Sequence, residues 1–362
     1  MNNQYASNAQ LLISKSALMA NIATYRSLIG KSKLLLMVKA NGYGTNSLLV
    51  AKATEDKIDY FGVAFPANGF TLREHGIKKP IFVMASTPQD IANMANKNLE
   101  PVLYSLDMVK AAVALNLPIK AHIEIDAGMK RLGVLQEEIL EIISLINPSK
   151  VKVVSVFAHL VAPGEATHDM FTHQQAIYFN RCFDLLYKRL SHKPFKQLSP
   201  TGAITRFEEY QYDMVRLGIG IYGYDPANQL NDRLKTVATL QAQILQIVKV
   251  KKGETIGYGR SGSLPFDGKI ATLSIGYGDG YLRVFGNANA EVVINGKRAK
   301  TVGNICMDLL MVDVTNIACK SGDNVELLGA QITIKELAQN ADTIPYEILT
   351  NISSRVERVL VD

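Results

Sequence analysis

The 362-residue chain contains no tryptophan and only three cysteines, Cys182, Cys306 and Cys319. Their odd number and the absence of metal-ligand spacing argue against a disulfide framework and a metal site, and they suit a reducing compartment. No apolar run approaches the length of a membrane span. The polar start of the chain, Met1 to Gln10, lacks the basic and apolar segments of a signal peptide. We therefore expect a cytoplasmic protein without a bound metal and without a membrane partner.

The chain also lacks a strong excess of charge of either sign. Its 39 lysines and arginines against 33 acidic residues give a mild net charge of +6, which is spread along the sequence. The densest basic run, Lys249 to Lys252, favours a solvated hairpin end over a nucleic-acid site. We expect no nucleic-acid partner. With 48% hydrophobic residues, a chain of this length can bury a large core, most simply in two domains.

Apolar runs alternate with helical patterns through the first two-thirds of the chain. Eight runs are candidate strands: Leu34–Val38, Tyr60–Ala64, Ile81–Ala85, Pro101–Tyr104, Ala121–Ile125, Val151–Ala158, Lys196–Ser199 and Met214–Ile221. The helical patterns between them are Asn46–Glu55, Pro88–Lys97, Asp107–Leu115, Glu137–Ile146 and Gln174–Leu190. An earlier helix with an apolar stripe can be capped by Ser14 or Ser16.

This alternation predicts an α/β fold, a (β/α)8 TIM-like barrel, because parallel strands are buried and read as continuous apolar runs. An open doubly wound sheet is the alternative, but no Gly-x-Gly-x-x-Gly follows the first strand. After Tyr224 the pattern changes to short β-type runs separated by glycine turns, typical of a mostly antiparallel β domain. We expect residues 1–228 to form the barrel domain, with an N-terminal strand or helix, and residues 229–362 to form the β domain.

Residues able to do chemistry follow five of the predicted strands, at the end where barrels place their active sites. These are Lys39 and Tyr43 after the first strand, Arg131 in a glycine-bounded loop after the fifth, His159 at the end of the sixth, Thr201 after the seventh, and Arg216, Gly218 and Ile219 in the eighth. Singly, each has an ordinary structural explanation; Arg216, for example, can pair with Asp213. Jointly, they indicate a site for an anionic ligand beside a reactive amine.

Lys39 is the candidate reactive amine. It stands where an apolar strand gives way to a loop in which Gly42 and Gly44 allow a tight turn. Partial desolvation at such a position lowers the pKa of an amine and favours a Schiff-base lysine. The structural alternative is a strand-end lysine that points into water.

Several different short motifs are distributed from the first predicted strand to the C-terminus. They are Val38-Lys39-Ala40-Asn41-x-Tyr43-Gly44, Gly128-Met129-x-Arg131-Leu132-Gly133, Arg216-x-Gly218-Ile219-x-x-Tyr222-Gly223, Gly257-Tyr258-Gly259-Arg260, Ile275-Gly276-Tyr277-Gly278-Asp279-Gly280, Gly303-Asn304-Ile305-Cys306-Met307-Asp308 and Arg355-Val356-x-Arg358-Val359. Together they span essentially the whole chain. On these motifs the sequence resembles the alanine racemases, which are fold-type III pyridoxal-phosphate enzymes.

The resemblance implies a two-base mechanism. Lys39 would hold pyridoxal 5'-phosphate covalently and act as the base for D-alanine, and Tyr258 would be the base for L-alanine on the opposite face. Tyr258 would act in the partner's site of a homodimer, because in this family the β domain of one chain completes the barrel mouth of the other. A hydrogen-bond chain from that tyrosine through His159 to Arg216 would tune it. Arg216 would face the pyridine nitrogen and, since arginine stays protonated, would leave the ring a weaker electron sink.

The resemblance also implies the contacts that hold the ligands. The phosphate would be bound by Tyr43, Thr201 and the main-chain N–H groups of Gly218 and Ile219. Ser354 stands where the family usually has a tyrosine that contacts the phosphate and narrows the entrance. Arg131 and the backbone of the partner subunit's Met307 would position the substrate carboxylate.

Three positions depart from the family pattern. Ser354 is too short to replace the tyrosine ring, so we hypothesise a wider entrance that tolerates larger side chains; a neutral variant is the alternative. Pro200 stands in place of the usual asparagine and removes an amide contact. Glu124 stands where many relatives carry a carbamylated lysine, and we hypothesise that it supplies that negative charge and orients Arg131. A buried, paired glutamate is the structural alternative.

The resemblance predicts an alanine racemase that supplies D-alanine for peptidoglycan. A broad-specificity amino-acid racemase is the nearest alternative. Fold-type III decarboxylases share the architecture, but Cys306-Met307-Asp308 and Tyr258 fit the racemase pattern instead. A non-catalytic pyridoxal-phosphate carrier is the alternative from another class, although single-domain relatives of that kind lack the β domain.

Overall fold

The computed structural model describes residues 9–362, so the first residues of the polar start, 1–8, lie outside the described residues. The described chain forms two compact units. We call residues 9–18, Tyr43–Asn46 and Lys235–Asp362 the β unit, and Met19–Gly42 with Ser47–Leu234 the barrel unit. Within residues 9–362, no helix combines the length and the apolar character that a membrane span needs.

The barrel unit is built on eight parallel strands that close on themselves. After β1 (Gln10–Ser14), which lies in the β unit, the barrel strands are β2 (Lys33–Met37), β3 (Tyr60–Val63), β4 (Ile81–Val83), β5 (Leu99–Leu103), β6 (Ile119–Ile125), β7 (Val151–Ala158), β8 (Phe195–Pro200) and β9 (Met214–Leu217). Each pairs with the next, and β9 returns to β2 with Lys33 opposite Met214. All eight predicted strands are present, but the last, predicted as Met214–Ile221, ends at Leu217 and is followed by a 3-10 segment, Ile219–Tyr222. The closed order excludes the open doubly wound sheet.

Helices follow or precede the barrel strands: Lys15–Leu28, Ser47–Thr54, Pro66–Glu74, Ile91–Asn96, Leu106–Ala114, Ile139–Ile146, Asp169–Arg189 and Thr201–Ile204. Of the two predicted caps for the first helix, Ser14 is the one used, since its Oγ accepts a hydrogen bond from the Ala17 N–H at 3.0 Å. The helix Pro66–Glu74 was not predicted. Its Asn68-Gly69 pair is typical of a turn, but in the structure Gly69 lies within the helix and packs against the Leu99 side chain, whose Cδ1 would lie 2.8 Å from an added Cβ.

The β unit is organised around β10 (Ala238–Val250), which pairs with three other strands. The remaining strands are β11 (Thr255–Ile256), β12 (Gly262–Ser263), β13 (Gly268–Leu273), β14 (Glu291–Ile294), β15 (Lys297–Lys300), β16 (Leu310–Asp313), β17 (Asn324–Leu328) and β18 (Glu357–Val361), with helices Ile334–Asn340 and Pro345–Thr350. All pairings are antiparallel except that of β1 with β18.

The N-terminal strand β1, which we grouped with the barrel, belongs to the sheet of the β unit. Gln10 lies opposite Gln241 of β10 and Glu357 of β18. The alternating burial along β1, in which Leu11 and Ile13 are buried, fits a sheet with one covered face and differs from the continuous burial of the barrel strands.

The loop after β6 returns to its own strand at Gly133, and this close approach generates a prediction. Gly133 has a φ of +124°, and an added Cβ would lie 2.3 Å from the backbone nitrogen of Asp126. We expect Gly133→Ala to lower the free energy of unfolding by about 3 kcal/mol, as urea denaturation would measure.

Gly76→Ala is the matched control. Gly76 also has a positive φ, +89°, but nothing lies within 4 Å of an added Cβ. We expect this control to cost only about 1 kcal/mol of backbone strain. Equal losses for both variants would contradict the role of the close approach.

Candidate active site

The carboxyl ends of the barrel strands bring together most of the residues predicted to form the site. Lys39 follows β2, His159 follows β7 and Thr201 follows β8, while Glu124 lies in β6 and Arg216 in β9. Because parallel strands of a closed barrel all end at the same rim, residues far apart in sequence become neighbours there.

Lys39 leads into a left-handed turn. Ala40, Asn41 and Gly42 have φ angles of 49°, 53° and 65°, and the Gly42 N–H donates to the Val38 carbonyl at 3.0 Å. Non-glycine residues pay about 1–2 kcal/mol each for this conformation, and such strain is concentrated at functional sites. The turn therefore fixes the backbone directly after Lys39.

The surroundings of Lys39 make it more nucleophilic. Burial lowers the pKa of its amine, and the positive charges of Arg131 and Arg216 lower it further. Because Lys39 is half-buried, the structure argues against the alternative of a strand-end lysine that points into water.

Arg216 is a buried cation, only 3% exposed. Its Nη2 donates to the carbonyls of Ala158 at 2.8 Å and Leu198 at 3.3 Å, and the guanidinium lies 4.9 Å from the centre of the Phe157 ring. Burial lowers the pKa of Arg216 to about 10, against the opposing effect of Glu124, so the group remains charged at neutral pH. Its other terminal nitrogen, Nη1, is buried and has no hydrogen-bond partner among residues 9–362.

The structural explanation that paired Arg216 with Asp213 is wrong. The Asp213 carboxylate instead accepts a hydrogen bond from the Lys196 N–H at 2.8 Å. The role of Phe157 as a cation–π partner was not predicted, because an aromatic residue inside an apolar strand carries no signal that distinguishes it from core.

Two buried titratable groups have strongly shifted pKa values. Burial raises the pKa of Glu124 to about 7, although Arg216 and Arg131 pull it down. Burial and the charges of Arg216, Arg131 and Lys39 lower the pKa of His159 to about 3, so its imidazole is neutral at physiological pH. Perturbed groups clustered in this way are typical of active sites.

Neither group makes the direct contact that the sequence suggested. Glu124 Oε2 and His159 Nδ1 are both buried, and neither atom has a hydrogen-bond partner in the part of the chain that the structure describes. Arg216 donates its hydrogen bonds to backbone carbonyls, not to His159. Glu124 is therefore coupled to Arg216 through charge alone, and the neutral imidazole of His159 lies in the positive field of Arg216 and Arg131.

Thr201 and Gly218, for which the sequence predicted phosphate contacts, are joined to each other by a hydrogen bond. The Thr201 Oγ1 accepts a hydrogen bond from the Gly218 N–H at 2.8 Å, and Ile219 follows, buried, in a short 3-10 segment. Gly220 packs so closely on Tyr25 that an added Cβ would lie 2.4 Å from its hydroxyl. This contact requires glycine and holds the segment against the first helix.

Arg131 is exposed, on a loop that Asp126 organises. The Asp126 carboxylate accepts hydrogen bonds from the N–H groups of Gly128 at 2.9 Å and Lys130 at 3.1 Å. Burial raises the pKa of Asp126, but the hydrogen bonds from Lys130 and Gly128 outweigh it, and the net shift is downward. Asp126 is a positioning residue that the sequence analysis did not assign, although an aspartate two residues before a glycine is a recognised turn signal.

Tyr258 and Met307 lie in the β unit on neighbouring loops. Tyr258 is 72% exposed and Met307 is 55% exposed. The Tyr258 carbonyl accepts hydrogen bonds from Asn304 Nδ2 at 3.0 Å and Ser261 Oγ at 3.2 Å, and the Met307 carbonyl accepts one from the Gly278 N–H at 2.8 Å. Two large side chains are thus held outward by well-bonded loops.

Tyr43 and Ser354 also belong to the β unit. Tyr43 is 5% exposed and its ring packs 6.1 Å from that of Tyr346. Ser354 is exposed beside Arg355, which is fixed by an ion pair with Asp308 at 2.6 Å. Among residues 9–362, no group of histidine, cysteine and acidic side chains could hold a metal ion.

Comparison with known proteins places the chain in one family. The sequence model of the alanine racemase N-terminal domain matches residues 13–226, and that of the alanine racemase C-terminal domain matches residues 237–360. The alanine racemase of Clostridium perfringens strain SM101 is 36% identical over 358 residues, covering 94% of this chain and 92% of that protein. The Halothermothrix orenii alanine racemase is 35% identical over 361 residues, covering 96% and 95%.

Solved structures agree with this assignment. Alanine racemase from Clostridium difficile 630 has a TM-score of 0.91 at 30% identity, covering 98% of this chain and 97% of that chain. The Bartonella henselae alanine racemase with covalently bound pyridoxal phosphate has a TM-score of 0.88 at 28% identity, covering 98% and 100%. The Bacillus anthracis enzyme with bound L-Ala-P has a TM-score of 0.91 at 28% identity, covering 98% and 95%. The resemblance drawn from the motifs is confirmed: the chain belongs to the alanine racemase family, a family of pyridoxal-phosphate-dependent racemases.

Proposed function

We propose that this chain interconverts L-alanine and D-alanine with pyridoxal 5'-phosphate as cofactor. The observation that carries the proposal is the Lys39 amine, whose pKa is lowered by burial and by Arg131 and Arg216 at the rim of the barrel. An amine in this state suits both the covalent attachment of an aldehyde and the acceptance of a proton.

The residues of the chain fit the cofactor. The buried, unpartnered Nη1 of Arg216 is a donor available to the ring nitrogen, and Thr201 offers a hydroxyl beside the Gly218 N–H for a phosphate. The residues that would hold the cofactor are Lys39, Tyr43, Thr201, Arg216, Gly218, Ile219 and Ser354. When bound, the cofactor would withdraw electrons from the amino acid and so acidify its Cα–H bond.

Racemisation requires that a proton leave one face of Cα and that another arrive on the opposite face. Lys39 would take the proton of D-alanine, and Tyr258 of the partner subunit would take that of L-alanine. The 72% exposure of Tyr258 and the 55% exposure of Met307 support this arrangement. A homodimer in which each β unit completes the other chain's site would cover both side chains.

Arg131 would bind the substrate carboxylate, with the backbone of the partner subunit's Met307. Glu124 has no ion pair with Arg131 within 4.0 Å, but the charges of Arg216 and Arg131 both lower the pKa of its carboxyl group. A half-ionised Glu124 near pH 7 would moderate the positive field of Arg131 and Arg216. The neutral His159 would add no further cation beside Lys39.

We further propose that the enzyme works in the cytoplasm and that its D-alanine supplies peptidoglycan. The scarcity of cysteines supports a reducing compartment. A broad-specificity racemase remains the second candidate, favoured by the exposed Ser354 in place of a tyrosine.

The direct test follows D/L interconversion of alanine by chiral chromatography with the cofactor-loaded protein. We expect alanine to racemise and Lys39→Ala to reduce the rate at least about 1,000-fold, because both the attachment point and one base are lost. The Lys39→Ala protein should also lose its covalently held cofactor on gel filtration. Lys52→Ala, an exposed lysine on helix Ser47–Thr54, is the control that should leave both properties unchanged.

The same assay separates the alternatives. Racemisation that persists in Lys39→Ala would contradict the assignment of the base. Rates on serine, lysine or arginine within about tenfold of the alanine rate would favour the broad-specificity enzyme. A wild-type protein that holds the cofactor and racemises nothing would favour the carrier.

The pKa of Glu124 predicts a pH-dependent stability. Its value of about 7 in the folded chain lies above the ordinary 4.5, so the native state binds the proton more tightly than the unfolded state. The contribution of Glu124 to the free energy of unfolding is fully present below pH 4.5 and is lost as the pH rises through 7. The total loss is about 3 kcal/mol. Glu124→Gln should remove this dependence.

The measurement is the free energy of unfolding of the two proteins between pH 5 and 8. The stability of Glu124→Gln relative to wild type should increase across this range. Glu74→Gln, which changes an exposed carboxyl at the end of helix Pro66–Glu74, is the control that should follow wild type. Parallel curves for wild type and Glu124→Gln would mean that Glu124 titrates normally.

A further inference from the structure

A cavity of about 780 Å³ lies at the opposite end of the barrel, where the strands begin. Pro80 and Pro118 precede β4 and β6, Leu99 begins β5, and Lys150 precedes β7. The volume is in the range of small-molecule binding pockets. Because barrel chemistry takes place at the other end of the strands, the proposed racemisation makes no use of this cavity.

Four exposed lysines line the cavity: Lys78, Lys120, Lys150 and Lys152. Within the described part of the chain, none of them has a carboxylate within 4.0 Å of its ammonium group. Lys120 and Lys152 are register partners on β6 and β7, so their side chains leave the sheet on the same side. Like charges directly opposite each other destabilise a sheet unless an anion compensates them.

Of the other two charged residues of the cavity, Arg73 is a further cation, and the carboxylate of Glu100 is engaged with a histidine. Arg73 is held by four backbone carbonyl groups, of which that of Asn98 lies 2.8 Å from its Nη2. Glu100, 5% exposed, directs its Oε2 to His122 Nε2 at 3.0 Å. Arg73 therefore stiffens the rim, and the lysines remain an unbalanced positive cluster.

The accessible apolar part of the lining is formed by Pro80, Ala95 and Pro118, since Ile77, Leu99 and Ile119 are each only 2% exposed. A bare ion would leave the surfaces of these three accessible residues in contact with water. A ligand that places an apolar ring system against them and its anionic groups against the lysines would satisfy both parts of the cavity.

We infer that this cavity binds a phosphorylated small molecule of nucleotide size, with at least two negative charges and an apolar ring system. Lysine ammonium groups bind phosphates as point charges, and two facing lysines call for more than one negative charge. A monocarboxylate would leave one of the facing pair uncompensated.

The test is isothermal titration calorimetry of the cofactor-loaded protein with ATP, inorganic pyrophosphate and adenosine. We expect ATP to bind, pyrophosphate to bind more weakly, and adenosine not to bind. Added salt should weaken ATP binding, since the contacts are between exposed charges. The double variant K120Q/K152Q should weaken ATP binding at least about tenfold without loss of racemisation.

The matched control is K52Q/K188Q, which removes the same charge from two exposed lysines outside the cavity. It should bind ATP like wild type. If K120Q/K152Q fails to fold, Lys150→Gln alone should give a smaller loss of the same kind. ATP binding that is absent, that survives the removal of the lysines, or that falls equally in the control would overturn the inference. Equal affinities for ATP and pyrophosphate would overturn the part assigned to the apolar ring system.

Discussion

The arrangement at the mouth of the barrel depends on one buried cation. Arg216 is held inside the rim by two backbone carbonyls and the face of Phe157, with Glu124 as the opposing charge. Burying a guanidinium is costly unless such partners compensate it. Burial is the main cause of the lowered pKa values of Lys39 and His159, and the positive charges of Arg131 and Arg216 lower both values further. The nucleophilic lysine and the neutral histidine therefore share a buried, positively charged environment.

The barrel could be predicted from the sequence because its strands are buried on both faces and read as continuous apolar runs. The helix Pro66–Glu74 could not be predicted, since its Asn68-Gly69 pair signals a turn, and the packing of Gly69 against Leu99 is a tertiary contact that the local pattern does not show. The strands that pair with β1 could not be predicted from the sequence either. Its pairing with β10 and β18 joins segments more than 200 residues apart, and no local pattern encodes such a contact.

The position of the site was predictable because chemistry follows the strand ends in a barrel. Lys39, Thr201 and Arg216 lie at that rim as expected. The contacts that hold Arg216 were not predictable. Its guanidinium donates to main-chain carbonyls, which every residue carries, and not to Asp213. The pKa of about 7 for Glu124 depends on burial and on two distant arginines, which spacing along the chain does not reveal.

We propose that each site joins Lys39 of one chain with Tyr258 of the partner subunit. The most direct measurement mixes two variants, Lys39→Ala and Tyr258→Phe, under conditions that exchange subunits, and follows alanine racemisation. In a mixed dimer, sharing between chains gathers both defects in one site and leaves the other intact. Random exchange of equal amounts should then restore roughly a quarter of wild-type activity. A mixture no more active than its separate components, with mixed dimers shown to form, would contradict the shared site.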